Sequence, residues 1–435
     1  MKNPNNWTFC DGEGRLDRPA PQINRRQLLT SAATLIAGGV WWASPKTALS
    51  QASFRTDRSN GNILISVFLR GGADGLNIVA PYGEDDYYKL RPSLGIASPK
   101  SGKPERNRLT DLDGFFGINP ALLPLISDYK DGKLAYIHAV GSGDQSHSHF
   151  EAMSTMELGL KDQSERVNGG WLARHLNSTP ERQVPLRAVA FSSTMPDRFS
   201  GAHGALAINN LSEYNLQNSD KEFVDQLSKI YSRGDSAVAQ AGRDTLKVLE
   251  ILSKNDPRGY KPDKGANYPD SNLGRAFRET AFLIKSDVGL EVCCLDSDGW
   301  DSHITQGNTE GWLYELVSDV ARSIAAFRTD MGNEMSRIVV CVQTEFGRRV
   351  GENSGLGTDH GAGSCMMVLG DTVKGGKVYA DWPGLIPDKL SGPGDLAITT
   401  DYRSVLADIT TNHLKNPNTA EIFPNFSKKN LSIIA

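Results

Sequence analysis

The sequence predicts an α/β fold: an open, mostly parallel sheet with helices on both faces. Three observations lead there. Continuous apolar runs of strand length recur along the chain, and such runs suit strands covered on both sides. Stretches of helical length and period lie between them. The two kinds alternate, as they do in βαβ units, whose strands lie parallel.

The elements follow in order. NILISVFLRGG (62–72) is the first strand and closes on two glycines. INPALLPLISDYKDGKLAYIHAVG (118–141) reads as helix, glycine, strand; Asn119 suits the N-cap and Pro120 the first helical position. SHFEAMSTMELG reads as a helix starting at His149. LRAVAFSS (186–193) and GALAINN (204–210) are short strands. Helices are expected over 221–234, where Gly234 supplies the C-terminal cap, over 237–254 and over 272–287. GLEVCCLD (289–296) is a strand, 309–331 a long helix and RIVVCVQTEFG (337–347) the next strand. SCMMVLGD (364–371) adds a strand, and DYRSVLADITTNHLKN (401–416) closes as a helix. Nothing divides residues 53–435, which are expected to form a single domain.

The N-terminal 52 residues read differently. Arg25 and Arg26 precede the apolar run LLTSAATLIAGGVWWA (28–43), and TALSQA (47–52) offers small residues for cleavage. The run is shorter than the ~18 residues of a spanning helix. This pattern resembles a twin-arginine signal peptide. It predicts use of the twin-arginine export machinery, a periplasmic or extracellular mature chain starting near residues 51–53, and no stable membrane span in that chain. The balance of 47 basic and 51 acidic residues gives no reason to expect a nucleic-acid partner. Five cysteines, Cys10, Cys293, Cys294, Cys341 and Cys365, follow no metal or disulfide spacing and read as buried thiols.

Ligands of parallel sheets bind beyond the carboxyl ends of the strands. Asp74 follows the first strand. Asp144, Ser146, His147, Ser148 and His149 follow the second long one. Asp298, Asp301 and His303 follow GLEVCCLD, and Glu345 follows the strand after it. GLGTDHGAG (355–363) then carries Asp359 and His360. Five of the eight histidines, counting His138, fall in or beside this set. Polar loops supply Asp and Ser but do not gather histidines. The candidate ligands of a divalent metal (Zn, Mg, Mn or Ca) are therefore Asp74, Asp301, His303, Asp359 and His360. A plain surface turn is the competing reading of GLGTDHGAG, whose glycines 355, 357, 361 and 363 make the loop pliable. Ser148 sits at a helix start with Glu151 three residues on, the pattern of a capping box. A hydroxyl there also suits a nucleophile facing an anionic substrate, so Ser148 and His149 are the candidate catalytic residues. No G-x-S-x-G, H-E-x-x-H, P-loop or G-x-G-x-x-G occurs.

VFLRGGADGLNIVAPYGEDDYYKLRPSLGI, SHSHFEAMSTMELG, GWDSHITQ, TEFGRR and GTDHGAG, in this order, resemble the exported bacterial DUF1501 family over most of the chain. That family is grouped with the alkaline phosphatase and sulfatase superfamily. The resemblance implies a three-layer α/β/α sandwich and hydrolysis of phosphate or sulfate esters at a metal centre. It puts Asp74 at the first metal carboxylate and Ser148 near the nucleophile. It matches Asp301 and His303 to ligands of the other metal, and Asp359 and His360 to the superfamily's Asp-His-Gly pair. Asp301 and His303 are closer in sequence than the superfamily's pair, and only His413 stands where its later ligand histidine falls. The expected function is an exported metal-dependent hydrolase of small-molecule or polysaccharide esters. The alternative is a non-catalytic exported binding or structural protein that keeps the fold.

Overall fold

The computed structural model describes residues 61–435 apart from 181–183, 185, 214–220, 235, 255 and 428. The twin-arginine segment and Cys10 lie outside the described residues. These fall into two compact units, residues 221–243 in one and the rest in the other. The sheet and the candidate site lie in the larger unit.

The main strands are β1 (Ile63–Leu69), β2 (Leu134–Gly141), β3 (Ala188–Ala190), β4 (Ala205–Ala207), β5 (Val292–Ser297), β6 (Ile338–Thr344), β7 (Ser364–Leu369), β8 (Lys377–Tyr379) and β9 (Thr400–Asp401). The longer helices are α1 (His149–Leu158), α2 (Trp171–Asn177), α3 (Lys221–Tyr231), α4 (Ala237–Lys254), α5 (Asn272–Lys285), α6 (Trp312–Met331) and α7 (Tyr402–Asp408). The sheet order is β8-β2-β7-β6-β1-β5-β3-β4, with β9 also paired to β2. β1 is central and fully buried. Ile63, Ile65, Val67 and Leu69 face one core, which holds Leu273 and Phe277 of α5 and Val317 and Phe327 of α6. Leu64 and Phe68 face another, with Met156 of α1, Leu172 of α2 and Val405 of α7. Alternation across a strand requires this split, and it explains why the run carries no polar face.

β5 and β6 flank β1 and both run parallel to it, so the β5–α6–β6 crossover spans one strand. β7 runs antiparallel to β6 and to β2. The sheet is thus mostly parallel, and the carboxyl ends of the other strands share one edge. Because β7 is reversed, it starts at that edge, and residues 345–363 stay there between β6 and β7.

Local departures have local causes. The helix expected from residue 120 is 3-10 over Pro120–Leu125 and α only over Ile126–Lys130. Pro124 cannot donate the helical hydrogen bond and clashes with the preceding turn. Asn119 caps it as expected, accepting from the Ala121 N–H at 2.9 Å. The last helix turns into a π turn at Ile409–His413. The sequence reading passed over α2, a short helix at Asp85–Leu90 and β8. Cys293, Cys294, Cys341 and Cys365 are free and buried, the first two facing opposite cores. Burial pushes the Cys293, Cys341 and Cys365 thiols up to about 12. Among the described residues no helix is long and apolar enough to cross a membrane.

Candidate metal centre

The site is built from loops at the shared edge. His149 opens α1. Its Nδ1 lies 2.8 Å from Glu345 Oε1. Glu345 is buried, and its Oε1 also accepts the Gly71 N–H at 2.7 Å while Oε2 accepts the Thr344 hydroxyl at 2.9 Å. A carboxylate so fixed places the imidazole proton on Nδ1 and leaves Nε2 facing inward. That Nε2 is buried and has no hydrogen-bond partner. His360 repeats the pattern, with Nδ1 2.7 Å from the His147 carbonyl oxygen. In His303, Nδ1 faces Asp359 Oδ1 at 3.3 Å. A carbonyl or a carboxylate can only accept, so all three rings are oriented alike.

The three Nε2 atoms converge on Asp301. His303 and His360 lie 3.0 and 3.2 Å from its Oδ1, and His149 lies 3.6 Å from its Oδ2. One donor atom each from His149, Asp301 and His360 fall within 4.8 Å of one another. His303 Nε2 is 2.9 Å from His360 Nε2. Two imidazoles and a carboxylate, with the His303 imidazole beside them, suit a divalent transition metal such as zinc, and an unpartnered buried Nε2 is what a ligand nitrogen needs. Magnesium and calcium prefer oxygen donors.

Charge is concentrated here. Partial burial alone would raise the Asp301 carboxyl. The His149 and His360 imidazoles and the Arg348 guanidinium, 2.6 Å away, outweigh it and hold the group far below the usual carboxylate range. Asp301 and Glu345 raise His149 to about 9; Glu345 is the one within hydrogen-bond distance, and Asp301 acts across 3.6 Å as a charge. Arg348 is buried and joins three loops, donating to the carbonyls of Gly72, Trp300 and Thr358 as well as to Asp301. Phe346 underlies the site, its ring centroid 4.9 Å from that of His149 and 5.0 Å from that of His360.

Asp301, His303, Asp359 and His360 are thus brought together as expected, and Asp74 is not. Asp74 is fully buried, with Oδ2 2.6 Å from Arg91 Nη1 and 2.6 Å from Gln306 Nε2. A carboxylate buried this deeply needs a counter-charge, and Arg91 is that charge. His149, expected as catalytic, stands among the metal donors. Ser148 is the N-cap of α1, but its side chain makes no cap hydrogen bond, so the expected capping box with Glu151 does not form. His138 and His413 lie elsewhere. Each ring bonds a backbone carbonyl, of Val79 and Ile63 respectively, and burial lowers both to about 4.

The glycines of GLGTDHGAG act differently from the expectation. None of Gly355, Gly357, Gly361 and Gly363 has a positive φ. A Cβ on Gly357 would lie 2.3 Å from the His303 carbonyl carbon, and one on Gly361 2.5 Å from that of Arg348. These glycines serve close packing of the ligand loops rather than pliability. From the sequence Glu345 reads at most as a substitute metal ligand, and Phe346 and Arg348 carry no role, although TEFGRR sits directly at the end of β6, where ligand-supporting residues are expected.

A family model for proteins of unknown function (DUF1501) matches residues 62–410. No curated protein matches the chain. Among solved structures, the PH0037 protein from Pyrococcus horikoshii is 12% identical, with 71% of this chain and 86% of that chain covered and a TM-score of 0.28. A mutant TAB5 alkaline phosphatase with Mg bound in its M3 site is 12% identical, with 71% and 90% covered and a TM-score of 0.28. Scores of this size leave the fold to rest on the topology described above.

Proposed function

The chain belongs to the DUF1501 family, and we propose that it is an exported metal-dependent hydrolase of phosphate or sulfate esters. In this reading the fold is a three-layer sandwich of the alkaline phosphatase and sulfatase kind. His149, Asp301 and His360 hold a divalent metal, with zinc the best fit, and His303 and Asp359 adjoin it. The observation that carries the reading is the convergence of three Nε2 atoms on Asp301, each ring held from behind by an acceptor at Nδ1. Such acceptors fix the tautomer that ligates.

A bound metal supplies charge stabilisation for the ester oxygens. The chain's own residues do the rest. Glu345 and the His147 carbonyl keep the two ligand imidazoles in one orientation. Arg348 fixes Asp301 from below. The first N–H groups of α1 favour an anionic ester oxygen. Ser148 stands at that helix end with its hydroxyl not spent on capping. It is the nucleophile of this reading: Oγ bonds to phosphorus or sulfur as the ester oxygen leaves, the serine proton passing to the departing alkoxide, and water then cleaves the seryl ester, releasing phosphate or sulfate and restoring the hydroxyl. Arg25 and Arg26 direct export, and the substrate is a small-molecule or polysaccharide ester.

One observation favours a second reading. Arg91 neutralises Asp74, which removes a carboxylate that a two-metal superfamily site would use. A protein that binds a single metal without turnover would keep the remaining arrangement. Metal analysis of protein purified through its native export route, with assays on phosphate and sulfate ester panels, separates these. Bound zinc with turnover supports the hydrolase, and bound zinc without turnover on any ester supports the binding protein. A chain free of metal sinks both.

A further inference from the structure

We propose that His147 and Asp395 form a positioning pair that sets the tautomer of His360. The inference depends on the metal reading only for its effect on affinity.

His147 has a φ of 54°. Left-handed backbone is unfavourable for a residue with a Cβ and persists where the surroundings enforce it. The enforcing contact is at the side chain, where Nε2 lies 2.7 Å from Asp395 Oδ2. Asp395 is 2% exposed, and its Oδ1 is buried without a hydrogen-bond partner. A buried carboxylate with so few partners holds tightly to the one it has.

Asp395 is itself well placed to act as an anchor. Its neighbours grip both ends of the ligand loop: the Gly394 carbonyl accepts the Val350 N–H at 3.0 Å, and the Leu396 carbonyl accepts the Gly363 N–H at 2.9 Å. The pair therefore ties the chain just before α1 to the segment that carries Asp359 and His360. In this conformation the His147 carbonyl faces His360 Nδ1 at 2.7 Å. Nδ1 therefore keeps its proton, and Nε2, 3.2 Å from Asp301 Oδ1 and 2.9 Å from His303 Nε2, is the nitrogen left to ligate a metal or, without one, to share a proton with those two neighbours. His147 acts through its backbone on a ring it does not touch with its side chain.

The test compares His147→Ala with His147→Gly. Alanine loses the Asp395 contact and resists the left-handed backbone; glycine also loses the contact but adopts that backbone freely. The first readout is the 15N spectrum of His360 in metal-free protein with labelled histidine, at a pH where the ring is neutral. The second is the affinity for zinc alone. The parent should show the Nδ1-protonated tautomer. His147→Ala should mix the tautomers and weaken zinc binding by about tenfold or more, and His147→Gly should recover most of both. Parent-like behaviour of the alanine variant overturns the proposal, as does a glycine variant no better than alanine. Should His147→Ala fail to fold, Asp395→Asn, which removes the charge at constant size, should shift the His360 tautomer in the same direction, and an unshifted spectrum overturns the pair. A parent that binds no zinc defeats the metal reading alone, since the 15N spectrum still decides the tautomer.

Discussion

His360 makes two contacts that a surface turn would not need: Nδ1 to a backbone carbonyl and Nε2 toward Asp301. His360→Ala should therefore lower zinc content and remove the stabilisation that metal gives. A metal at a hundred times its dissociation constant stabilises a native state by about 3 kcal/mol. The parent should melt higher with zinc than with chelator, and the variant should show no such gap. If the gap survives, the ligand set is wrong. Ser148 isolates chemistry from stability, because no cap hydrogen bond is lost with its hydroxyl. Ser148→Ala should change stability by no more than about 0.5 kcal/mol and reduce ester turnover by orders of magnitude. Turnover at the parent level would exclude Ser148 as nucleophile.

Two loops make the site one object, and their contact is set by a glycine. The backbone of Gly357 lies against that of His303, and Thr358 N–H bonds to the Ser302 carbonyl at 3.1 Å. Gly357→Ala should push the loops apart and cut zinc affinity while leaving the sheet intact. Gly355→Ala, whose Cβ would meet nothing nearer than 3.2 Å, should do much less. Equal zinc affinity in the two variants would show that loop contact does not hold the site. The strands at this edge were legible because strands buried on both faces are mostly apolar, as ILISVFL and IVVCV are apart from Ser66. The direction of β7 was not, since an apolar run reads the same either way, yet that reversal keeps residues 345–363 beside His149. Asp74 was misread for a related reason. Its position after β1 is that of a ligand, but Arg91, seventeen residues on, is joined to it only in three dimensions.

For the molecule as a whole, export and acid stability are the properties to test. The twin-arginine reading predicts that replacing Arg25 and Arg26 with Lys leaves full-length precursor in the cytoplasm; export at the parent level would exclude it. Acid stability follows from histidines buried without charge. His138 packs against Phe116 and Trp382, and burial lowers it to about 4; His413 is also lowered to about 4. An unfolded histidine titrates near 6.5. Between those values the unfolded chain binds a proton that the native state refuses, so stability rises with pH across the window and falls on acidification. Each histidine accounts for about 3 kcal/mol over the whole window, a large share of the ~5–15 kcal/mol that holds a domain together. Glu291 extends the trend downward. Burial would raise it, but His175 and Arg187 bind it and lower it to about 2, so its contribution is lost as pH falls from about 4.5 toward 2. The urea midpoint should therefore drop from pH 7 to pH 5, measured in chelator so that loss of metal does not add to the slope; His149, raised to about 9, gains stability over the same range and offsets only part of the loss from the two buried histidines. His138→Gln keeps a donor for the Val79 carbonyl and cannot take a proton. Its midpoint should fall less steeply over the same range, by the equivalent of about 2 kcal/mol at pH 5. A slope equal to the parent's would mean that His138 is already charged in the native state, and the buried neutral histidine would not be what limits acid stability.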